Sequence, residues 1–477
     1  MKYQYDLVII GGGSAGLVAA EASPRMGVKA ALVERGQLGG DCLWTGCVPS
    51  KALLASAKAA QTIREATKYG LPAIELDIDT SLVWGRLHDI QESIAATDES
   101  SAKFADLGVD LVRGQASFVN EHTIRVDERE ITAKFFLVCT GSRPACPPID
   151  GIEDVGYLTS ESVFSLEKAP QSLIIVGAGP IGIEMAQAMN RLGVQTTLLE
   201  AAPRILIREE PVLADALRRT LEDEGVLIQT GVEIARAELV DGKKVLRGKG
   251  DAADKTWTAA EILVAAGRTP NISSLGLERV GVSTEKKGIG VDANLRTSVK
   301  SVYAAGDCTG RYYFTHNAAA EALIAMRNMF YPGSQRASEV VPWTTFTDPE
   351  LAHVGMTSEQ ARSTLGVENV CVWRQDLINS DRARAESATT GSVMIVTDRK
   401  LRVLGAHVLA PGAGELIGQM TSAISRKARL TPEIVNVQQV YPTYSTAISR
   451  LAADATYIDL EKPLLRTLRR LSSFLGG

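Results

Sequence analysis

The chain has 477 residues, 22% of them charged, with a formal net charge of −5. That length exceeds a single hydrophobic core and divides into about three domains. The mixed-sign balance excludes nucleic acid and anionic membrane as bulk electrostatic partners, and six irregularly placed cysteines do not form a secreted disulfide framework, so a reducing cytoplasm is expected.

Tyr5 to Ile10, YDLVII, reads as a buried strand of a parallel sheet. Gly11, Gly13 and Gly16 follow in G-x-G-x-x-G spacing and open into an alanine-rich helix. In such a loop the first glycine permits the tight turn and the second lets a pyrophosphate approach the backbone. The third lets helix and strand pack closely, so that the helix N-terminus faces the anion. Ala30 to Val33 form the next strand, ending at Glu34, where a ribose hydroxyl needs an acceptor. Asp6 and the three glycines mark this apolar stretch as strand, turn and helix rather than a signal peptide. The chain contains no apolar run of about 18 residues, so no transmembrane helix is expected.

Next comes GGDCLWTGCVPSKALL, with Cys42 and Cys47. On a regular helix residues five apart are rotated by about 140°, so the two could not bridge across intact turns. Gly46 allows the segment to unwind, and Pro49 suits the first turn of the helix that follows. Both sulfurs are then expected at a helix N-terminus, where the dipole favours a thiolate. A zinc site would need about two further ligands, and Cys139, Cys146, Cys308 and Cys371 are scattered, so no metal is expected. An inert disulfide and two unlinked core cysteines are the other readings. Redox chemistry is the one adopted.

The glycine pattern returns after the strand Leu173 to Val176, as Gly177, Gly179 and Gly182, with Glu200 closing the strand TTLLE. The interval from first glycine to acid is the same in both copies. A carboxylate hydrogen-bonds a free ribose 2′-hydroxyl and repels a 2′-phosphate, so Glu200 favours NADH over NADPH, with Arg204 nearby to weaken the preference. Two dinucleotide sites and one cysteine pair suggest a circuit in which electrons leave a nicotinamide, cross a flavin and reduce a disulfide in the protein.

With these motifs in this order, nearly the whole chain resembles the pyridine nucleotide–disulfide oxidoreductase family, which includes dihydrolipoyl dehydrogenase, glutathione reductase and mercuric reductase. The resemblance implies that Gly11, Gly13, Ser14, Ala15, Gly16 and Glu34 hold the ADP half of FAD, with Gly40 and Asp41 also against the cofactor. It implies a second FAD contact at Thr140 and Gly141 in CTGSRP, and a third at Gly306 and Asp307 in VYAAGDC. Cys47 would be the sulfur in charge transfer with the flavin, and Cys42 the interchange sulfur facing the acceptor. Lys51 and Glu184 match the family's ion pair beside the flavin. Gly177, Gly179, Ile181, Gly182, Glu200 and Gly267 would hold the nicotinamide nucleotide. The stretch from VPWTTFTDPELAHVG onward would build a homodimer whose subunits complete each other's active sites.

The expected fold class is α/β: two Rossmann-like, doubly wound dinucleotide-binding domains plus a C-terminal α+β dimerisation domain. The expected segments are 1–150 (FAD), 151–272 (NAD), 273–341 (FAD, second part) and 342–477 (interface). One departure affects function. Dihydrolipoyl dehydrogenase and glutathione reductase carry a His-Pro pair near the C-terminus, oriented by a glutamate. Here Tyr441 precedes Pro442, and Thr446 stands at the glutamate position. A histidine titrating near 6.5 accepts a thiol proton at neutral pH, and a tyrosine near 10 does not, so dithiol oxidation should be handicapped. Tyr441 or Tyr444 could instead donate a hydrogen bond to a substrate being reduced, or simply pack at the interface.

The expected function is therefore that of a mercuric reductase-like core passing electrons to a small-molecule acceptor, without a C-terminal cysteine pair. Dihydrolipoyl dehydrogenase and a flavin-only quinone or oxygen reductase are the alternatives, and a non-catalytic redox sensor is a third. Finally, in KPLLRTLRRLSSFLGG, Leu464, Leu465, Leu468, Leu471 and Leu475 lie on one helical face and the arginines largely elsewhere. This tail is expected to pack on the enzyme's own surface, with membrane contact as the alternative.

Overall fold

The computed structural model describes residues 2–460; the amphipathic tail lies outside them. β1 (Tyr5–Ile10) is followed by α1 (Ser14–Arg25) and β2 (Ala30–Glu34). Two helices then carry the cysteines, α2 (Gly40–Trp44) and α3 (Cys47–Arg64), and α4 (Thr80–Thr97) packs across them. β3 (Asp110–Arg113), β4 (Ala116–Asn120), β5 (Thr123–Val126) and β6 (Arg129–Val138) complete most of the first sheet, in the order β3-β2-β1-β6-β5-β4.

β6 serves three partners along its length. Its first half pairs antiparallel with β5, and its second half runs parallel to β1, with Ile10 opposite Val138. The late strand Val302–Ala304 adds to β6 in parallel, Ala304 opposite Val138. Four chain segments therefore leave the sheet at one carboxyl edge: Gly11 after β1, the residues after Glu34, Cys139 to Gly141 after β6, and Ala305 to Asp307. Ligands of open parallel sheets bind at this edge. Leu7, Ile9, Leu32 and Leu137 are fully buried on one face, against Ala19 and Ala20 of α1 and Ala322, Ala325 and Met326 of the helix Thr315–Phe330. Alanines let both helices lie close to the strands, and each large apolar side chain buried contributes about 1.5–3 kcal/mol.

A second parallel sheet repeats this plan in the order Leu227–Thr230, Gln195–Glu200, Ser172–Val176, Glu261–Val264. A third, five-stranded antiparallel sheet runs Trp343–Thr345, Glu350–Gly355, Val403–Ala410, Ser392–Asp398, Val370–Asp376. The helices Ala413–Ser425 and Thr446–Leu460 pack on it and share its core. The fold is thus α/β with two dinucleotide-binding units and a C-terminal α+β unit, as expected. Arg191 joins two of these units: 5% exposed, it bonds Glu224 at 2.6 Å and Asp348 at 3.0 Å. Among the described residues no helix is long and apolar enough to cross a membrane.

Candidate active site

One cavity of about 1910 Å³ runs along the carboxyl edges of both parallel sheets. A pocket for one small ligand spans roughly 300–1,000 Å³, so there is room here for more than one. Nearly every residue nominated from the sequence lines it: Gly11, Gly13, Ser14, Ala15, Glu34, Gly40, Asp41, Cys42, Cys47, Lys51, Thr140, Gly141, Gly306 and Asp307 on one side, and Gly177, Gly179, Ile181, Glu184, Glu200 and Gly267 on the other. Gly16 and Gly182 do not, because their role is packing. A Cβ on either would collide with the carbonyl of Gly11 or Gly177.

The two loops are built alike. Gly11 and Gly177 adopt φ +109° and +107°, which side-chain-bearing residues avoid. A Cβ at Gly179 would meet nothing within 4 Å, and one at Gly13 only the Gly40 Cα at 3.9 Å. The backbone at both second glycines is thus open to a ligand. The acids close the loops: Gly12 N–H donates to Glu34 Oε2 and Gly36 N–H to Oε1, both at 2.6 Å. Ala178 N–H donates to Glu200 Oε2 at 2.6 Å and Ala202 N–H to Oε1 at 2.8 Å. Arg204 turns its guanidinium onto the carbonyls of Leu206 (3.0 Å) and Ile207 (2.6 Å).

The segments following β6 and Val302–Ala304 are tied together. Thr140 Oγ1 donates to the Asn271 carbonyl at 2.7 Å, and Ser142 Oγ to Asp307 Oδ2 at 2.6 Å. Burial pushes the Asp307 carboxyl above the ordinary carboxylate range. Arg268 reaches Asp41 at 2.8 Å and Asp307 at 3.8 Å, joining the cysteine segment to the cavity wall.

The helix breaks at Thr45 and Gly46, where sequence reasoning placed the unwinding, and a Cβ on Gly46 would come within 2.9 Å of the Asp41 carbonyl. One expectation is corrected. Only Cys47 is at the N-terminus of a long helix, as the first residue of α3, while Cys42 is in the middle of the five-residue α2. Both are thiols, hydrogen-bonded to each other. The bond from Cys42 pulls Cys47 down to about 6, helped by Thr315, whose Oγ1 is 3.2 Å from Sγ, and by the charge of Lys51. The same bond, with burial, pushes Cys42 well up, so the shared proton resides on Cys42.

Lys51 Nζ is 2.9 Å from Glu184 Oε2 and 4.3 Å above the ring of Phe346. Glu184 is 5% exposed, and its other oxygen accepts from Phe346 N–H at 2.9 Å. Tyr441 and Tyr444 are not in the cavity of their own chain. Tyr441, 67% exposed, donates its hydroxyl to Asp381 Oδ2, and Tyr444 donates to Glu386 Oε2, both at 2.7 Å. Carboxylate acceptors raise both phenols, as does burial first of all at Tyr444. Sequence reasoning missed Arg268, Thr315 and Phe346. Arg268 adjoins the nominated Gly267, but Thr315 lies 268 positions from Cys47, and no local pattern marks it.

Comparison with known proteins agrees with this geometry. Residues 5–322 match the model of the pyridine nucleotide-disulphide oxidoreductases, and 341–452 match that family's dimerisation domain. The chain belongs to this family. It is 35% identical to a mercuric reductase of Bacillus cereus over 89% of this chain and 67% of that one. It is 31% identical to a dihydrolipoyl dehydrogenase of Bacillus subtilis over 96% of this chain and all of that one. Its fold superposes with a TM-score of 0.84 on the Cu(II) complex of the HOCl-induced flavoprotein disulfide reductase RclA from Escherichia coli, at 28% identity and covering 95% and 99% of the two chains. As a member of this family the protein is an oxidoreductase that uses FAD.

Proposed function

We propose that this oxidoreductase takes electrons from a nicotinamide nucleotide, NADH by preference, and delivers them through the Cys42–Cys47 dithiol to a small-molecule acceptor. The observation that carries the reading is that Cys42, Cys47, the Lys51–Glu184 pair and both glycine loops open on one cavity. The open backbone at Gly13 and Gly179, and a cavity larger than one ligand needs, fit two dinucleotides. The Gly11 loop, Glu34, Thr140, Gly141 and Asp307 would hold FAD, which when bound supplies two-electron exchange between the nicotinamide and the dithiol.

The chain's own residues do the rest. The α1 N-terminus, with Ser14 and Ala15, offers unpaired N–H groups to a pyrophosphate. Glu184 holds Lys51 at the cavity wall through their 2.9 Å ion pair. Cys47, down to about 6, is a thiolate at neutral pH, and Cys42 holds the proton; Cys42 would have to give that proton up to become the thiolate that exchanges with an acceptor. At the second loop the Glu200 carboxylate would repel a 2′-phosphate, and Arg204 is engaged with carbonyls, which favours NADH.

We read residues 342–477 as the interface of a homodimer in the cytoplasm, where Tyr441 and Tyr444, their hydroxyls already donated to Asp381 and Glu386, would pack against the partner rather than donate to its site. Segments 1–150, 151–272 and 273–341 would be the FAD, NAD and second FAD portions. Carboxylate-bound phenols do not replace a histidine base, and losing general-base assistance costs about 10²- to 10⁴-fold in rate. The acceptor is therefore one that is reduced, such as a thiophilic metal ion or a disulfide, and dihydrolipoamide oxidation is slow.

The test is NADH turnover with mercuric ion, low-molecular-weight disulfides, quinone and, in reverse, dihydrolipoamide. Wild type, Cys42→Ser and Tyr441→His would be compared. Turnover of metal ion or disulfide that vanishes in Cys42→Ser is expected. Quinone reduction undiminished in Cys42→Ser, with no other acceptor used, or rapid dihydrolipoamide oxidation by wild type, would overturn the reading.

A further inference from the structure

Thr315, whose Oγ1 is 3.2 Å from Cys47 Sγ, is the first residue of the helix Thr315–Phe330. That helix begins without a side-chain cap hydrogen bond, and Thr315 is exposed on the cavity wall. First turns fray, and a hydrogen bond fades over a few tenths of an ångström, so the hydroxyl needs an anchor. The residues on either side of Thr315 supply one. His316 Nε2 donates to the Pro342 carbonyl at 2.8 Å. The Phe314 ring stacks on Trp343, with centroids 5.7 Å apart and planes within 10°.

Trp343 is itself held from behind. Its Nε1 donates to Glu209 Oε1 at 2.5 Å, and its ring stacks on His353 at 3.8 Å and 13°. His353, 1% exposed, donates Nε2 to the Gly355 carbonyl at 2.9 Å and sets Nδ1 3.2 Å from the other Glu209 oxygen. The indole thus rests on a buried, hydrogen-bonded floor, and its stack with Phe314 reaches the cavity wall, which both rings line. Offset stacking of this kind restrains both rings.

We propose that Trp343 is a positioning residue for the redox cysteine: through its stack with Phe314 it fixes the Thr315 hydroxyl against Cys47 Sγ. The inference rests on the reading of Cys47 as a member of the redox dithiol. The titratable and charged groups that act on Cys47 are Cys42 and Asp41 of α2 and Lys51 of α3, and none of them belongs to the stack. Phe346, three residues beyond Trp343, does touch Lys51, so the test must separate the two routes.

The experiment uses the FAD-loaded full chain with its dithiol reduced, and follows across pH the long-wavelength absorbance of the Cys47 thiolate in charge transfer with the flavin. Trp343→Leu should raise the Cys47 midpoint by about half to one pH unit, a part of the shift that loss of the Thr315 hydroxyl gives. Trp343→Phe, which keeps a ring to stack, should return most of that shift. On a Thr315→Val background Trp343→Leu should add nothing, because the group it positions is gone. Trp373→Leu, which removes an indole bonded to Thr397 at 3.0 Å in the same sheet, should leave the midpoint unmoved.

A midpoint unchanged by Trp343→Leu would overturn the inference. So would a Trp343→Phe shift as large as that of Trp343→Leu, or a Trp343→Leu shift that persists on Thr315→Val, which would place the effect on Lys51. Each of these leaves the dithiol reading intact. A wild-type protein without the charge-transfer absorbance, or an absorbance that survives Cys47→Ser, would instead overturn the dithiol reading. Flavin content and melting temperature show which variants are folded, and if Trp343→Leu is not, Phe314→Leu breaks the same stack from the cavity side and is read in its place.

Discussion

Cys47 illustrates how several modest contacts set one titration. Its thiolate is held by the Cys42 thiol, by the Thr315 hydroxyl at 3.2 Å and by the Lys51 charge, all against the cost of burial. A hydrogen bond to a charged group is worth about 1.5–3 kcal/mol, so Thr315→Val should raise the Cys47 midpoint from about 6 by one to two pH units. The pH dependence of thiolate absorbance in the reduced protein would show it. Because the folded value is below that of an unfolded thiol, this group's contribution to stability is complete above about pH 8.5 and is lost as pH falls through about 6. The tyrosines show the other side of the same physics: each already donates to a carboxylate, which raises the phenol and leaves even less phenolate to act as a base. That Tyr441 replaces a histidine was evident from the sequence. That Asp381 and Glu386 hold the two hydroxyls was not, since 60 and 58 positions separate the partners.

At the scale of elements, the two strand–loop–helix units separate into testable halves. Gly16→Ala and Gly182→Ala each drive a Cβ into a backbone carbonyl, and overpacking of this kind costs about 1–3 kcal/mol. Gly16→Ala should purify with reduced flavin content. Gly182→Ala should retain flavin but require more NADH to reduce it; flavin absorbance and an NADH titration distinguish them. Both units were legible because their chemistry is local: strand, glycines and acid fall within one short window each. The bridge from Arg268 to Asp41 and Asp307 was not, because it depends on which strand tips the sheet brings together. In the antiparallel sheet, burial pushes the His407 imidazole down to about 3, with Nε2 donating to the Met356 carbonyl at 3.0 Å. Unfolded, it would take up a proton below about 6.5, so its contribution is full above that value and is lost as pH falls toward 3. His407→Gln should flatten the acid limb of the melting-temperature profile over that interval.

Across the whole molecule, contacts between units decide how the parts work together. Arg191, buried between Glu224 and Asp348, is the plainest case. Removing one partner of a buried ion pair costs about 3–5 kcal/mol, so Arg191→Met should lower the first unfolding transition in a denaturant titration and loosen the C-terminal unit first. Glu184 joins more than two units: one oxygen faces Lys51 on the cysteine helix, the other takes the amide of Phe346 just after the first strand of the C-terminal sheet, and the residue itself belongs to the second nucleotide loop's helix. A single carboxylate is thus the common corner of three territories of the chain. Any shift of the C-terminal unit on forming or losing its partner would tug at the lysine beside the reactive sulfur, so quaternary assembly and electron entry would share one adjustable joint.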